Sequence, residues 1–296
     1  MRLWAKAVGI VSRVGSDYPA DCLDALADAG IDTSGIRRVN DEHALLSGYQ
    51  YDQQGHRRQV DPSSRLPLSE PTVGKEWAEQ SSMIRVPESV RELFDPRFDD
   101  VPASFRSARG FHIANMGYPA QRAYVDSLQG KLLSLDATDP DLPLELHTKL
   151  LGAVDLFLPS EIQAKGLLTG AKEDWPHALA RLAELGPWIV AVKVGSEGSW
   201  VHDSKAGRSW HIPVVPLAQV KDPTGAGDAY CGGFLAAVID GHDALESGLR
   251  ATVSASFVIE AFDARHGLQV SRDEAESRLV PLRRLVSEAG RNSQLN

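Results

Sequence analysis

Short apolar runs and helix-periodic stretches alternate along almost the whole chain, and this alternation narrows the available folds more than any other feature. AVGIVSR (7–13), RGFHIANM (109–116), KLLSLD (131–136), VDLFLP (154–159) and WIVAVKVG (188–195) are short, apolar and bounded by turn residues, as buried strands are. YPADCLDALADAG (18–30), closed by Gly30, and stretches near 119–129, 143–152, 160–168 and 176–185 instead read as helices. Strands alternating with helices predict a parallel sheet covered on both faces. GSWVHD and RSWHIPVV (198–203 and 208–215) predict an antiparallel pair, and helices near 226–240, 243–264 and 272–287 follow. ALLSGYQYD and HRRQV flank a QQG turn at 53–55 and predict a hairpin. Residues 61–105, with six prolines and many charges, predict an irregular excursion with at most one helix, around 87–94. With no internal repeat, low-complexity tract or linker, a single domain over 1–296 is the economical organisation.

Composition removes several function classes. A net charge of −9 gives no nucleic-acid footprint, and no stretch reaches membrane-spanning length. Cys22 and Cys231 lie far apart without ligand spacing, and nine histidines show no metal-site pattern, so neither a disulfide framework nor a zinc site is expected. MRLWAKAVGIVSRVG lacks the continuous apolar region of a signal peptide. A soluble cytoplasmic protein, with neither nucleic acid nor membrane as partner, is the expectation.

The chemistry concentrates in KDPTGAGDAYCGGF, residues 221–234. After Gly227, Tyr230, Phe234, Leu235 and Val238 recur at helical spacing, so the small residues 225–227 open a helix. The first N–H groups of a helix lack intrahelical acceptors and sit at the positive end of its dipole, which suits an anion. Gly225, Ala226 and Gly227 would let a phosphate reach them. A carboxylate at Asp228 would repel that phosphate unless it had another task, and accepting the proton of an attacking hydroxyl is one that fits. From these residues alone, a glycine-rich helix cap with an incidental Asp accounts for the stretch equally well.

DPTGAGDAYCGGF resembles the C-terminal signature of the ribokinase/PfkB-like carbohydrate kinases, usually D-T-x-G-A-G-D, with Pro223 a variation. The resemblance implies a ribokinase-like three-layer α/β/α sandwich with a mostly parallel central sheet and a small β lid at about 43–61. It implies an ATP-dependent phosphotransferase acting on an alcohol group of a sugar or related small molecule. Asp228 would be the general base and Gly225, Ala226 and Gly227 the anion hole. AVKVGSEGSW (191–200) is similar to the strand and glycine turn that border the nucleotide, which carries Lys193, Gly195 and Gly198, with Thr224, over as nucleotide-binding positions. A strand followed by an ordinary glycine turn explains that stretch as well. ATVSASFVIEA (251–261) puts small residues on a helix that could wall the adenine, although close packing explains them more simply. The family's cation position falls on Asp222 and Thr224, implying K⁺ beside the turn, and paired lid hairpins imply a homodimer.

The chain departs from the family pattern in two places. VDLFLPSEIQAKGLLTG (154–170) resembles the turn N-x-x-E that orients Mg²⁺ through its waters. Here Ser160 and Gln163 replace Asn and Glu, and Glu161 stands next door, so Glu161 and Gln163 are the indirect Mg²⁺ candidates. Ser160 reads equally well as a helix N-cap. The family also opens with an Asp-bearing strand and a Gly-Gly turn that precede anything in this sequence. MRLWAK reads as the last turn of the helix that follows them, as if roughly 30 residues, one βα unit, were absent. A module that binds nucleotide or sugar on the same fold with impaired turnover is the alternative these departures keep open.

Overall fold

The computed structural model describes residues 1–44, 48–51, 57–60, 87–136, 142–168, 174–217 and 219–289, with backbone alone at 48–51 and 57–60. Its centre is a sheet of seven strands. β5 (Gly110–Ile113), β6 (Leu132–Leu135), β7 (Leu156–Phe157) and β8 (Ile189–Lys193) run parallel in that order. β9 (Ser199–Asp203), β10 (Arg208–Ile212) and β11 (Ser287–Glu288) extend it antiparallel. Period-two alternation sends successive side chains to opposite faces, and both faces are apolar. Leu156, Leu158, Ile189 and Ala191 point to one face, Phe157, Val190 and Val192 to the other, all fully buried.

The first face is covered by α7 (Ala226–Ile239), α8 (Ala244–Val258) and α9 (Arg272–Arg283) through Cys231, Phe234, Leu249, Val253 and Leu279. The second is covered by α3 (Tyr118–Ser127), α4 (Leu144–Leu151) and α6 (Trp175–Ala183) through Val125, Leu150, Leu151, Leu179 and Leu182. The helix starts follow capping chemistry. Asp174, Asp243 and Ser271 each accept the N–H three residues on, from His177, Glu246 and Glu274. The α/β/α sandwich expected from the sequence is therefore present.

A second, two-stranded parallel sheet joins β1 (Val8–Val14) to β2 (Ile31–Arg38), with α1 (Ala20–Asp28) between them in sequence. β1 is mostly half-buried rather than buried, because among the described residues it is paired along one edge only. Arg13 anchors it. The guanidinium makes a forked contact with Asp100, 2.6 and 3.1 Å, and the Arg97 N–H donates to the same carboxylate at 2.8 Å. The predicted hairpin is present as β3 (Gly48–Tyr51) and β4 (Arg57–Val60), antiparallel, while its QQG turn lies outside the described residues. Of the excursion, α2 (Glu88–Phe94) and short 3₁₀ turns at 98–100 and 103–107 are described; 61–86 lie outside. Trp4 is buried against α8: its indole N–H donates to Ser254 Oγ at 2.8 Å, and the Arg250 guanidinium lies 4.5 Å from the ring. Among the described residues no helix is long and apolar enough to cross a membrane.

The Asp100 contacts set an acid limit on this anchor. Burial opposes the Asp100 charge, but hydrogen bonds from Arg13 and Arg97 and the Arg13 charge outweigh it, holding the carboxyl below its usual range. A depressed folded pKa stabilises the fold above the unfolded value and loses that contribution as pH falls below about 4. Asp100→Asn is expected to melt lower than the wild type at pH 7, with the gap closing as the pH approaches 3. Thermal melts across that range check it, and a gap that persists unchanged at pH 3 would contradict the assignment.

Candidate active site

Polar side chains gather at the carboxyl ends of the parallel strands, where open α/β sheets place ligands. Asp136 follows β6, Ser160 follows β7 and Lys193 ends β8. Their neighbours on the same face, Leu156, Ile189 and Ala191, are all buried and apolar. The N-terminus of α7 comes down over this edge.

The turn into α7 is built by two local devices. The Thr224 N–H donates to Asp222 Oδ1 at 2.9 Å, and Gly225 takes a left-handed conformation (φ +83°) as the N-cap. A left-handed residue bearing a side chain would be strained there, so glycine is what lets the chain reverse into the helix. The Ala226 N–H is turned back onto the Pro223 carbonyl, 3.2 Å. Gly227 and Asp228 follow in the first helical turn, where N–H groups have no intrahelical acceptor. Asp228 is exposed and residues 225–227 are half-buried. Tyr230 pins the helix from below, its hydroxyl donating to Ser199 Oγ at 3.0 Å.

Lys193 lies under the turn. Its ammonium is ion-paired with Asp136 and donates to Cys231 Sγ at 3.2 Å, and its side chain is 14% exposed. Burial works against the charge, but Cys231 and Asp136 beside it hold the pKa above the ordinary lysine value. Burial pushes the Cys231 thiol up to about 12, so the sulfur is a neutral acceptor. Between β5 and β6, His112 Nδ1 meets Ser134 Oγ at 2.8 Å, and burial lowers the imidazole to about 4, leaving it neutral.

The structure thus brings together Gly225, Ala226, Gly227, Asp228 and Lys193. Gly195 and Gly198 form the adjacent β8–β9 turn, both at positive φ (+61° and +93°). Ser160 bridges to Lys193, whose N–H donates to the Pro159 carbonyl at 2.9 Å. Ser160 also caps α5 (Glu161–Leu167): the Ser160 N–H donates to Gln163 Oε1 at 2.7 Å, and the Gln163 N–H to Ser160 Oγ at 3.4 Å. Glu161 pairs with Lys165 at 2.5 Å. These side chains do not enclose a bare Mg²⁺. Among the described residues no cluster of three or more His, Cys, Asp or Glu could cage a metal. The one carboxylate of the loop fits an ion that keeps most of its waters and arrives on a nucleotide. The small residues of α8 answer to packing, since a Cβ at Gly233 of α7 would lie 2.4 Å from Ser254 Oγ.

Sequence reasoning missed Asp136 and gave Cys231 only a packing role. Asp136 had one usable signal: it is the acidic residue closing a predicted strand at the ligand end of the sheet.

Known proteins resemble this chain in sequence and in fold. The sequence profile described as pfkB family carbohydrate kinase matches residues 121–270. An uncharacterized sugar kinase of Archaeoglobus fulgidus is 30% identical over 256 residues, covering 81% of this chain and 100% of the relative. The crystal structure of Methanocaldococcus jannaschii nucleoside kinase superposes with a TM-score of 0.70 at 20% identity, covering 95% of this chain and 83% of that one. A putative ribokinase II from E. coli in complex with ATP and Mg²⁺ superposes with a TM-score of 0.67 at 20% identity, covering 95% and 85%.

Proposed function

The chain belongs to the pfkB family of carbohydrate kinases, and from that premise we propose that the 225–228 turn is where it transfers the γ-phosphoryl group of ATP to a hydroxyl of a sugar or nucleoside. The observation that carries the proposal is the join of a left-handed Gly225 to the start of α7, which offers backbone N–H groups and a carboxylate at one point of the sheet edge. In this reading the N–H groups of Gly225 and Gly227 bind the transferring phosphoryl oxygens, while the Ala226 N–H stays on the Pro223 carbonyl and Ala226 serves by its small side chain. Asp228 accepts the proton of the acceptor hydroxyl as its oxygen bonds to the γ-phosphorus and the bond to the β-phosphate oxygen breaks. The products are a phosphate monoester and ADP. Sugar-like substrates follow from the relatives; sugar and nucleoside kinases both occur among the similar proteins. Mg²⁺, present with ATP in one structural neighbour, supplies charge neutralisation on the nucleotide phosphates when bound, with Glu161 the residue that would meet its waters. Thr224 and the 195–198 turn would border the nucleotide.

ADP release over a panel of sugars and nucleosides tests the proposal: at least one acceptor should raise the rate well above the acceptor-free background, and uniform background across the panel would contradict it. Metal dependence gives a separate expectation. Gln163→Glu keeps the reciprocal cap, which glutamate forms as readily as glutamine, and adds a charge near the phosphate edge. The Mg²⁺ concentration for half-maximal rate is expected to fall without a change in melting temperature. An unchanged or higher requirement would show that this loop does not reach the metal's waters.

A further inference from the structure

We propose that the buried hydrogen bond from Tyr230 to Ser199 is a positioning device that sets the spacing between the 225–228 turn and the 195–198 turn. This rests on reading the first turn as the phosphoryl site and the second as the border of the nucleotide. Each turn is rigid in itself. The Val194 N–H donates to the Gly198 carbonyl at 2.9 Å and the Gly198 N–H to the Gly195 carbonyl at 3.1 Å, which closes the 195–198 turn. Ser199, the next residue, is paired on both sides, with Lys193 of β8 and Ile212 of β10. The 225–228 turn is closed by the Ala226 N–H on the Pro223 carbonyl. The Ala229 N–H joins it to α7 by donating to the Gly225 carbonyl at 2.9 Å. The spacing of the two turns is therefore set by how α7 seats on β9. Tyr230, two residues past Asp228, makes that junction, its hydroxyl 3.0 Å from Ser199 Oγ.

The surroundings show why this contact fixes position more than it adds stability. Tyr230 is 4% exposed and Ser199 1%, and Leu158, Ala191, Val201 and Phe234 of the same core are apolar. Apolar contact is non-directional and tolerates small slides of a helix over a sheet. A hydrogen bond holds its two heavy atoms within a few tenths of an ångström. Its net contribution is about 1 kcal/mol, and replacing both partners by apolar groups of the same shape can be nearly neutral. Phenylalanine and alanine would fill the same space, so packing alone does not call for two hydroxyls. Burial holds the phenol protonated, well above the ordinary tyrosine range, so it stays a donor at neutral pH. Phe234, one helical turn on, lies 5.9 Å from the ring between centroids and limits its swing. ATP, which in this reading touches both turns at once, feels their spacing; a ligand of one turn does not.

The test separates spacing from fold. Tyr230→Phe alone takes the phenol donor from Ser199, so it is compared with Tyr230→Phe plus Ser199→Ala, which removes both hydroxyls. Both variants are expected to melt within a few degrees of the wild type. With Mg²⁺ present, each should bind ATP about five- to tenfold more weakly. Inorganic tripolyphosphate, which in this reading meets only the 225–227 turn, should bind within about twofold of the wild type. The double variant should lose no more ATP affinity than the single one, since the two hydroxyls act as one unit. ATP binding within twofold of the wild type in the double variant would overturn the proposal. An equal loss for tripolyphosphate would overturn it by placing the damage in the phosphate turn itself, and a large fall in melting temperature by marking the pair as structural. A wild type that bound ATP but no tripolyphosphate would overturn it too, since the turn would then hold no phosphate on its own. If ATP binding weakened as expected and yet the wild type phosphorylated no acceptor, the positioning role would stand and the kinase reading would fail. If the wild type bound no ATP, both would fall.

Discussion

Asp228→Asn is expected to lower turnover by roughly 10²–10⁴ while leaving the affinity for ATP within a few-fold of the wild type. The asymmetry follows from where Asp228 sits. It is exposed in the first turn of α7, beside the N–H groups proposed to bind phosphate, so its own contribution to nucleotide binding should be small or repulsive. Asparagine keeps the size of the side chain and loses the basic oxygen. If Asp228 only complemented the helix dipole, the change would cost a few tenths of a kcal/mol of stability and leave turnover near normal. Steady-state rates and equilibrium ATP binding on the same preparations separate these outcomes, and near-wild-type turnover would reduce Asp228 to a dipole partner.

The second large effect concerns the turn between β8 and β9, and it is an effect on folding. Gly198 has φ +93°, and a Cβ there would lie 2.1 Å from the Ile212 carbonyl oxygen and 2.8 Å from Pro213 Cα. Both obstacles are backbone of β10 and the residue that follows it, so no side chain can swing aside. Gly198→Ala must break the β9–β10 edge or push it away, at a cost of about 3 kcal/mol or more once backbone strain is added to the clash. Gly195, three residues earlier, provides the control. It is also left-handed (φ +61°), but a Cβ there meets nothing within 4 Å. Gly195→Ala should cost only the conformational penalty, about 1–2 kcal/mol. Denaturant melts of the two variants check the contrast, and equal destabilisation would show that the 198 contact relaxes.

Much of this was readable from the residues. The parallel strands β5 to β8 of the central sheet are mostly apolar because both faces are covered, and their positions were legible for that reason. β2 was not, because IDTSGIRR is polar, with Gly35 its one buried residue, and lies at the edge of a two-stranded sheet. The helix expected over 243–264 stops at Val258, where the Ile259 carbonyl turns to accept the Lys221 N–H at 2.8 Å. That long-range contact has no local signal. The helix expected to 287 stops at Arg283 because Ser287 and Glu288 pair with β10 instead, and Arg208 clasps Glu288 at 2.7 and 2.8 Å.

At the site, the glycine turn and the helix it opens were legible because their composition is costly anywhere else. The partners of Lys193 were not. A lysine closing an apolar strand gives no hint that Asp136, 57 residues away, and Cys231, 38 residues away, will meet it. Gln163 shows the opposite case: S-x-x-Q is itself a capping-box pattern, so its commitment to Ser160 was available from spacing alone.

The central claim, that this chain moves a phosphoryl group from ATP onto a hydroxyl, is tested most directly by following the group itself. ATP labelled with ¹⁸O in its γ-phosphate is incubated with the protein, Mg²⁺ and each sugar or nucleoside, and the products are read by mass spectrometry. The expected result is a labelled phosphate monoester of at least one acceptor, formed in equal amount with ADP and lost in Asp228→Asn. Nucleotide binding with no labelled ester from any acceptor, or label appearing only in free phosphate at the same rate in both proteins, would contradict it.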